Sequence, residues 1–136
     1  MARGYSNCNP GNIRHSEVMY QGEVRPSKDP SFKQFKTMAF GYRAMFVLLH
    51  TYRIKHHLNT LQAIIERYAP PTENSTTEYV NFVSTRTKIA DIQSVDTLSQ
   101  RQMVPIVTAM ARMENGQEPD IQDVIDGWEM FVQDYV

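Results

Sequence analysis

The chain reads as a mainly helical α+β single domain with a small β-hairpin lobe at its N-terminal end, and three observations along the sequence predict this. The opening stretch carries glycine, proline and short alternating apolar positions, Val18, Tyr20 and Val24, then Phe32 and Phe35. From Phe40 the apolar spacing switches to three and four residues. After that, capping and stop signals divide the rest into helix-length pieces. At 136 residues the chain can bury one continuous core. One domain is expected over 1–136, with a loop and hairpin lobe over 1–38 and a helical part over 39–136.

Each element has its own local cause. Tyr42, Met45, Phe46, Leu49 and Tyr52, with Ala44 and Leu48 beside them, form the apolar stripe of a first long helix. Asn59-Thr60 supplies cap oxygens for a second helix, whose stripe is Leu61, Ile64, Ile65 and Tyr68 and which Pro70-Pro71 must stop. Ser75-Thr76-Thr77-Glu78 has the capping-box pattern, in which hydroxyl and carboxylate each satisfy a free backbone amide, and leads into Tyr79, Phe82 and Val83. Thr97-Leu98-Ser99-Gln100 repeats that pattern before Met103, Ile106, Val107, Met110 and Ala111. Pro105 either kinks this helix or opens a fresh segment. Asn115-Gly116 is a stop, and Asp120 can cap a last helix with Ile121, Val124, Ile125, Trp128 and Phe131 inward.

Composition narrows the function classes. A formal charge of −1 with both signs interleaved argues against a nucleic-acid partner. No apolar run reaches bilayer-spanning length, so membrane insertion is not expected. The start Met-Ala-Arg-Gly-Tyr-Ser-Asn lacks a signal-peptide core, which predicts synthesis in a reducing bacterial cytoplasm and delivery by other means. Cys8 is the single cysteine, so neither an intrachain disulfide nor a thiolate cluster can form. His50, His56 and His57 do not present a shared face at metal-ligand spacing. No metal or organic cofactor is expected.

Several segments carry a resemblance: Asn9-Pro10-Gly11-Asn12-Ile13-Arg14, Tyr20-Gln21-Gly22, Phe32-Lys33-Gln34-Phe35 and Gly41-Tyr42-Arg43-Ala44-Met45, then Leu58-Asn59-Thr60 and Ile64 through Pro71, and finally Glu73-Asn74-Ser75-Thr76 and Met113-Glu114-Asn115-Gly116-Gln117. Together they resemble a family of small phage and prophage virion-associated proteins and cell-wall hydrolases. Tyr20 and Tyr68 stand where that family carries tryptophan, and a phenol keeps a face for stacking on a sugar. The opening also resembles glucosaminidase-type enzymes of the lysozyme fold just after their catalytic glutamate. No acid-bearing helix precedes Asn9, whereas Glu114-Asn115-Gly116 resembles the missing segment, as it would in a circular permutant. The resemblance thus implies a lysozyme-like domain and bacterial peptidoglycan as partner, with other virion proteins as further partners.

Cleaving a wall glycan needs a carboxylic acid still protonated near neutral pH. Glu114 continues the row Met103, Val107, Met110 and Ala111, which places its carboxyl at the edge of a buried face and in a last helical turn, where burial and the helix dipole both raise its pKa. The alternative is a solvated helix end. For a second acid the candidates are Glu23 in the hairpin, Glu17 and Glu73; the more ordinary place for Glu23 is a solvated hairpin position, and Glu73 beside Asn74 also fits a cap or brace for the following helix. A route assisted by the substrate's own N-acetyl group requires no second acid. Asn9, Asn12 and Arg14 around Pro10-Gly11 form either a sugar subsite or a tight turn with local hydrogen bonds. Tyr20, Tyr42 and Asn115 complete the substrate-binding set that the resemblance implies, although a helix-face tyrosine such as Tyr42 also fits a core.

Three readings follow. The first is a peptidoglycan glycan-strand hydrolase, that is a muramidase, glucosaminidase or lytic transglycosylase of phage or prophage origin, acting in the virion or at the wall after export, lysis or injection. The second is a non-catalytic bacteriophage virion or tail protein that retains the fold. The third is a wall-degrading secreted effector toxin.

Overall fold

The computed structural model of the chain describes residues 1–70 and 75–136. In chain order its elements are α1 (Arg3–Ser6), β1 (Glu23–Val24), β2 (Gln34–Phe35), α2 (Met38–His56), α3 (Leu61–Tyr68), α4 (Thr76–Thr87), α5 (Gln100–Asn115) and α6 (Ile121–Tyr135). The protein is therefore mainly helical with one small antiparallel hairpin, in the register Glu23 to Phe35 and Val24 to Gln34. A bridge between Arg14 and Phe32 extends the pairing towards the N-terminal turn.

Helix α2 is the hub. Ala44, Met45, Phe46 and Leu49 are wholly buried in it, and it packs most extensively on α6, with further contacts to α3, α5 and β2. Gly127 makes the α2–α6 approach possible, because a Cβ there would lie 2.7 Å from Tyr42 Cβ and 2.9 Å from both Ala39 O and Arg43 N. Between the two helices Phe46 meets Trp128 edge-on at 5.0 Å. Arg43 Nη2 reaches Asp134 Oδ2 at 2.6 Å near the end of α6.

Local signals act where the backbone needed them. Thr60 Oγ1 accepts from the Ala63 amide at 3.1 Å, opening α3. Asp120 caps α6 through the Gln122 amide, and Gly116 ends α5 at φ 72°. Two capping expectations need correction. Ser75 makes no side-chain cap bond at α4, so the capping box is not formed there. At α5 the cap is Ser99 rather than Thr97, whose hydroxyl is buried against His50 Nδ1 at 2.8 Å. Helix α5 runs unbroken through Pro105, which faces outward. The carbonyl four residues earlier belongs to exposed Arg101, where water can replace the missing amide. Ile121 points outward at 51% exposure, leaving Val124, Trp128 and Phe131 as the inner face of α6.

The N-terminal segment is clasped to the end of α5. The Tyr5 amide donates to Asn115 Oδ1 at 3.2 Å, and the Tyr5 hydroxyl to Gln117 O at 2.7 Å. Asn115 Nδ2 in turn donates to Pro10 O at 2.8 Å. This clasp lays the end of α5 against the turn at residues 9–12.

Candidate functional site

The turn after α1 is built around Asn9, which is completely buried. Its Oδ1 accepts from the Ile13 amide at 2.9 Å, while its Nδ2 donates to Ile13 O at 3.0 Å and Lys33 O at 2.9 Å. With its polar atoms engaged inside the fold, Asn9 ties the turn to β2 and presents nothing to a ligand. Asn115 is occupied in the same way by the clasp, adding a bond to Ala111 O at 2.9 Å. Neither residue is placed as a substrate contact; both position what lies beside them.

Asn12 is different. It adopts a left-handed backbone at φ 49°, which asparagine tolerates better than other non-glycine residues, and this turns its side chain towards the end of α5. Its Nδ2 donates to Glu114 Oε1 at 3.1 Å and lies 3.4 Å from Glu114 O. The row Met103, Val107, Met110 and Ala111 is buried, and Glu114 is half-buried where that row reaches the surface.

Glu114 and Asn12 share a cleft of about 740 Å³. It is lined by Gly11 to Ser16 and Val18 with Tyr20 and Phe32, by Leu48 and Tyr52 of α2, and by Arg67, Tyr68 and Pro70 at the end of α3. Glu114 is the only acidic residue among the described residues that line it. Aromatic rings provide much of the surface. Burial raises the Tyr20 phenol to about 12, and its ring lies 6.4 Å from Phe35. The Tyr68 hydroxyl donates to Gly11 O at 2.5 Å, and burial, with the charge of Glu114 second, pushes its phenol well up. Behind the cleft the Tyr79 hydroxyl is buried near Glu114, and burial followed by the charge of Glu114 raises its phenol too.

Cations line the cleft as well. The Arg14 guanidinium lies 5.0 Å from the centre of the Phe32 ring, and Arg67 sits 5.3 Å from that of Tyr52. His15, also in the wall, has its Nε2 2.8 Å from Asp29 O.

The structure does not bring every sequence-predicted residue here. Glu23 lies outside the cleft with its side chain only 2% exposed. Lys33 Nζ contacts both its oxygens at 3.1 Å, Arg25 Nε donates at 2.7 Å, and the Tyr20 amide donates at 3.1 Å. Burial alone would push the Glu23 carboxyl up, but the bonds from Arg25, the Tyr20 amide and Lys33 outweigh it and hold it below the usual range. A carboxylate so enclosed braces the hairpin and cannot reach a substrate. Glu17 is exposed and does not line the cleft, and Glu73 lies outside the described residues. Tyr42 is 1% exposed, enclosed in the core against Gly127, which corrects its placement as a cleft residue.

Sequence reasoning passed over Tyr52, Arg67 and Phe32 as cleft residues. Tyr52 falls in the apolar stripe of α2, and the phenol's polar tip is the feature that lets such an aromatic sit at a rim rather than in the core. Among the described residues no group of three His, Cys, Asp or Glu is placed to hold a metal, and no helix is long and apolar enough to cross a membrane.

No family model matches this chain. The chain is 39% identical over 127 residues to Protein P5 of Pseudoalteromonas phage PM2, an alignment covering 91% of this chain and 78% of that protein. With identity at that level over nearly its whole length, the chain belongs to the family of this phage protein.

Proposed function

We propose that this phage-family protein cleaves the glycan strands of bacterial peptidoglycan, with Glu114 as the general acid. The observation that carries the reading is the Glu114 carboxyl, half-buried at the end of α5, held by Asn12 and alone of its kind among the described residues of an aromatic-walled cleft. A protonated Glu114 would hand its proton to the leaving glycosidic oxygen, while Asn12 keeps the carboxyl aimed into the cleft. Tyr20, Tyr52 and Tyr68 offer ring faces and edges for the apolar faces of successive sugars. With Glu23 enclosed, the described lining fits the routes that need one carboxyl, in which the substrate's acetamido group or an internal hydroxyl attacks. The lysozyme-like and circularly permuted relationship belongs to this same reading, and the clasp of Tyr5 and Pro10 to Asn115 and Gln117 supports it.

The second reading, a non-catalytic component of the phage particle, is favoured by the relationship to a phage protein and by the sequestration of Glu23. Purified protein incubated with sacculi distinguishes the two. Release of soluble muropeptides is expected for the enzyme; no release, together with stoichiometric copies in purified particles by mass spectrometry, would favour the particle component.

A further inference from the structure

Residues 16–20 form part of the cleft wall without belonging to a helix or a strand. Ser16, Val18 and Tyr20, alternate positions of the segment, line the cleft, and Val18 stays 56% exposed. Such a stretch has no ladder of backbone bonds to fix it. Side chains of the hairpin lobe hold it instead. Lys33 Nζ donates to Val18 O at 2.8 Å and to Ser16 O at 3.2 Å, and Arg25 Nη2 donates to the same carbonyls at 2.7 and 2.9 Å. Glu23 joins the two cations, accepting from Lys33 Nζ at 3.1 Å and Arg25 Nε at 2.7 Å, and it also accepts from the Tyr20 amide at 3.1 Å. The Lys33 ammonium lies 5.6 Å from the centre of the Tyr20 ring, so that ring too is seated on the cluster.

Stability alone does not call for a charge in this place. Lys33 is wholly buried, and an enclosed ion pair recovers little more than its own desolvation, so apolar side chains of similar volume would hold the hairpin as well. What apolar side chains lack is donors for the carbonyls of Ser16 and Val18. The ammonium supplies them, in the place a neighbouring strand would fill. We propose that Glu23, Lys33 and Arg25 are positioning residues of the cleft, a clamp that presets Ser16, Val18 and Tyr20 as a wall for the substrate strand. The proposal rests on the glycan-cleaving reading above and extends its machinery to side chains that the substrate does not touch. A wall fixed before binding has less freedom to lose when a sugar settles on it, so the clamp acts on affinity and leaves the proton transfer at Glu114 alone.

Two sets of substitutions in the full-length protein test this. Glu23→Gln together with Lys33→Met keeps the volume and removes both buried charges at once, whereas Arg25→Gln removes only the part-exposed arm of the clamp, where loss of folding is not at issue. With a soluble oligosaccharide of the wall's amino sugars, each is expected to raise KM about fivefold, to leave kcat within about twofold, and to speed amide exchange at residues 16–20. The same oligosaccharide titrated into each set combined with Glu114→Gln should show a matching loss of affinity. Folded variants with unchanged KM and affinity, or with a loss confined to kcat, would overturn the clamp while leaving the glycan cleft standing. An unaltered protein that neither binds nor cleaves the oligosaccharide would remove both.

Discussion

Asn12 Nδ2 donates to Glu114 Oε1 at 3.1 Å, joining two residues 102 positions apart in the chain. The contact exists because Asn115 is clasped to Tyr5 and Pro10, which brings the last turn of α5 beside a turn held in place by buried Asn9. An acid that alone would fray into water is thereby kept in a defined orientation at the wall of a cleft.

Replacing Asn12 separates its two contributions. Asn12→Gly retains the left-handed backbone and removes the carboxamide; it should cost about 1 kcal/mol in stability and slow glycan release by ten- to a hundredfold. Asn12→Ala adds left-handed strain and should be less stable than the glycine variant by a further ~1 kcal/mol. Thermal melts beside muropeptide release check both, and a glycine variant with full activity would mean that Glu114 needs no such support.

The α2–α6 packing should tolerate no side chain at Gly127. The added methyl of Gly127→Ala would meet backbone atoms of Ala39 and Arg43, which cannot rotate aside. A loss of about 2 kcal/mol, on the order of 6 °C in melting temperature, is expected by calorimetry. An unchanged melt would show that the two helices separate without cost.

Cap chemistry gives a paired comparison. Thr60→Ala removes the bond to the Ala63 amide and should destabilise by about 1 kcal/mol, whereas Ser75→Ala removes no cap bond and should stay within ~0.5 kcal/mol. Urea denaturation of the two variants checks the contrast, and equal losses would contradict it.

Acid should unfold the N-terminal lobe first. The Arg3 guanidinium, with the Asn7 amide and the Ser31 and Phe32 amides, holds the Asp29 carboxyl far below the usual range, and Glu23 also lies below it. A carboxyl depressed in the folded state contributes stability that is whole above its unfolded pKa of about 4 and is lost as pH falls towards the folded value. Stability is therefore expected to be level on this account from pH 7 to about 5 and to decline below about 4. Asp29→Asn should start lower and decline less steeply, as measured by denaturation midpoints from pH 7 to 3.

Much of this architecture is legible in the sequence because its causes are local. Apolar spacing announces α2, and Thr60, Asp120 and Gly116 mark helix ends where a hydroxyl, carboxylate or missing side chain acts on backbone only a few residues away. Glu114 at the end of a buried row is legible for the same reason. What escaped depends on partners far along the chain. Thr97 is drawn off its cap pattern by His50, Glu23 is enclosed by Lys33, and Tyr42 is covered because Gly127 lets another helix approach. Asn9 and Asn12 are of one residue type three positions apart, yet one is consumed by the fold and the other faces the acid, because Lys33 meets the first and the end of α5 the second.

The most direct trial of the account is glycan release by Glu114→Gln measured beside the unaltered protein on the same sacculi. Glutamine keeps an oxygen for Asn12 but has no proton to give. The account expects release to fall by about a thousandfold with the melting temperature essentially unchanged. Release at an undiminished rate from a folded Glu114→Gln protein would contradict it and take Glu114 out of the chemistry.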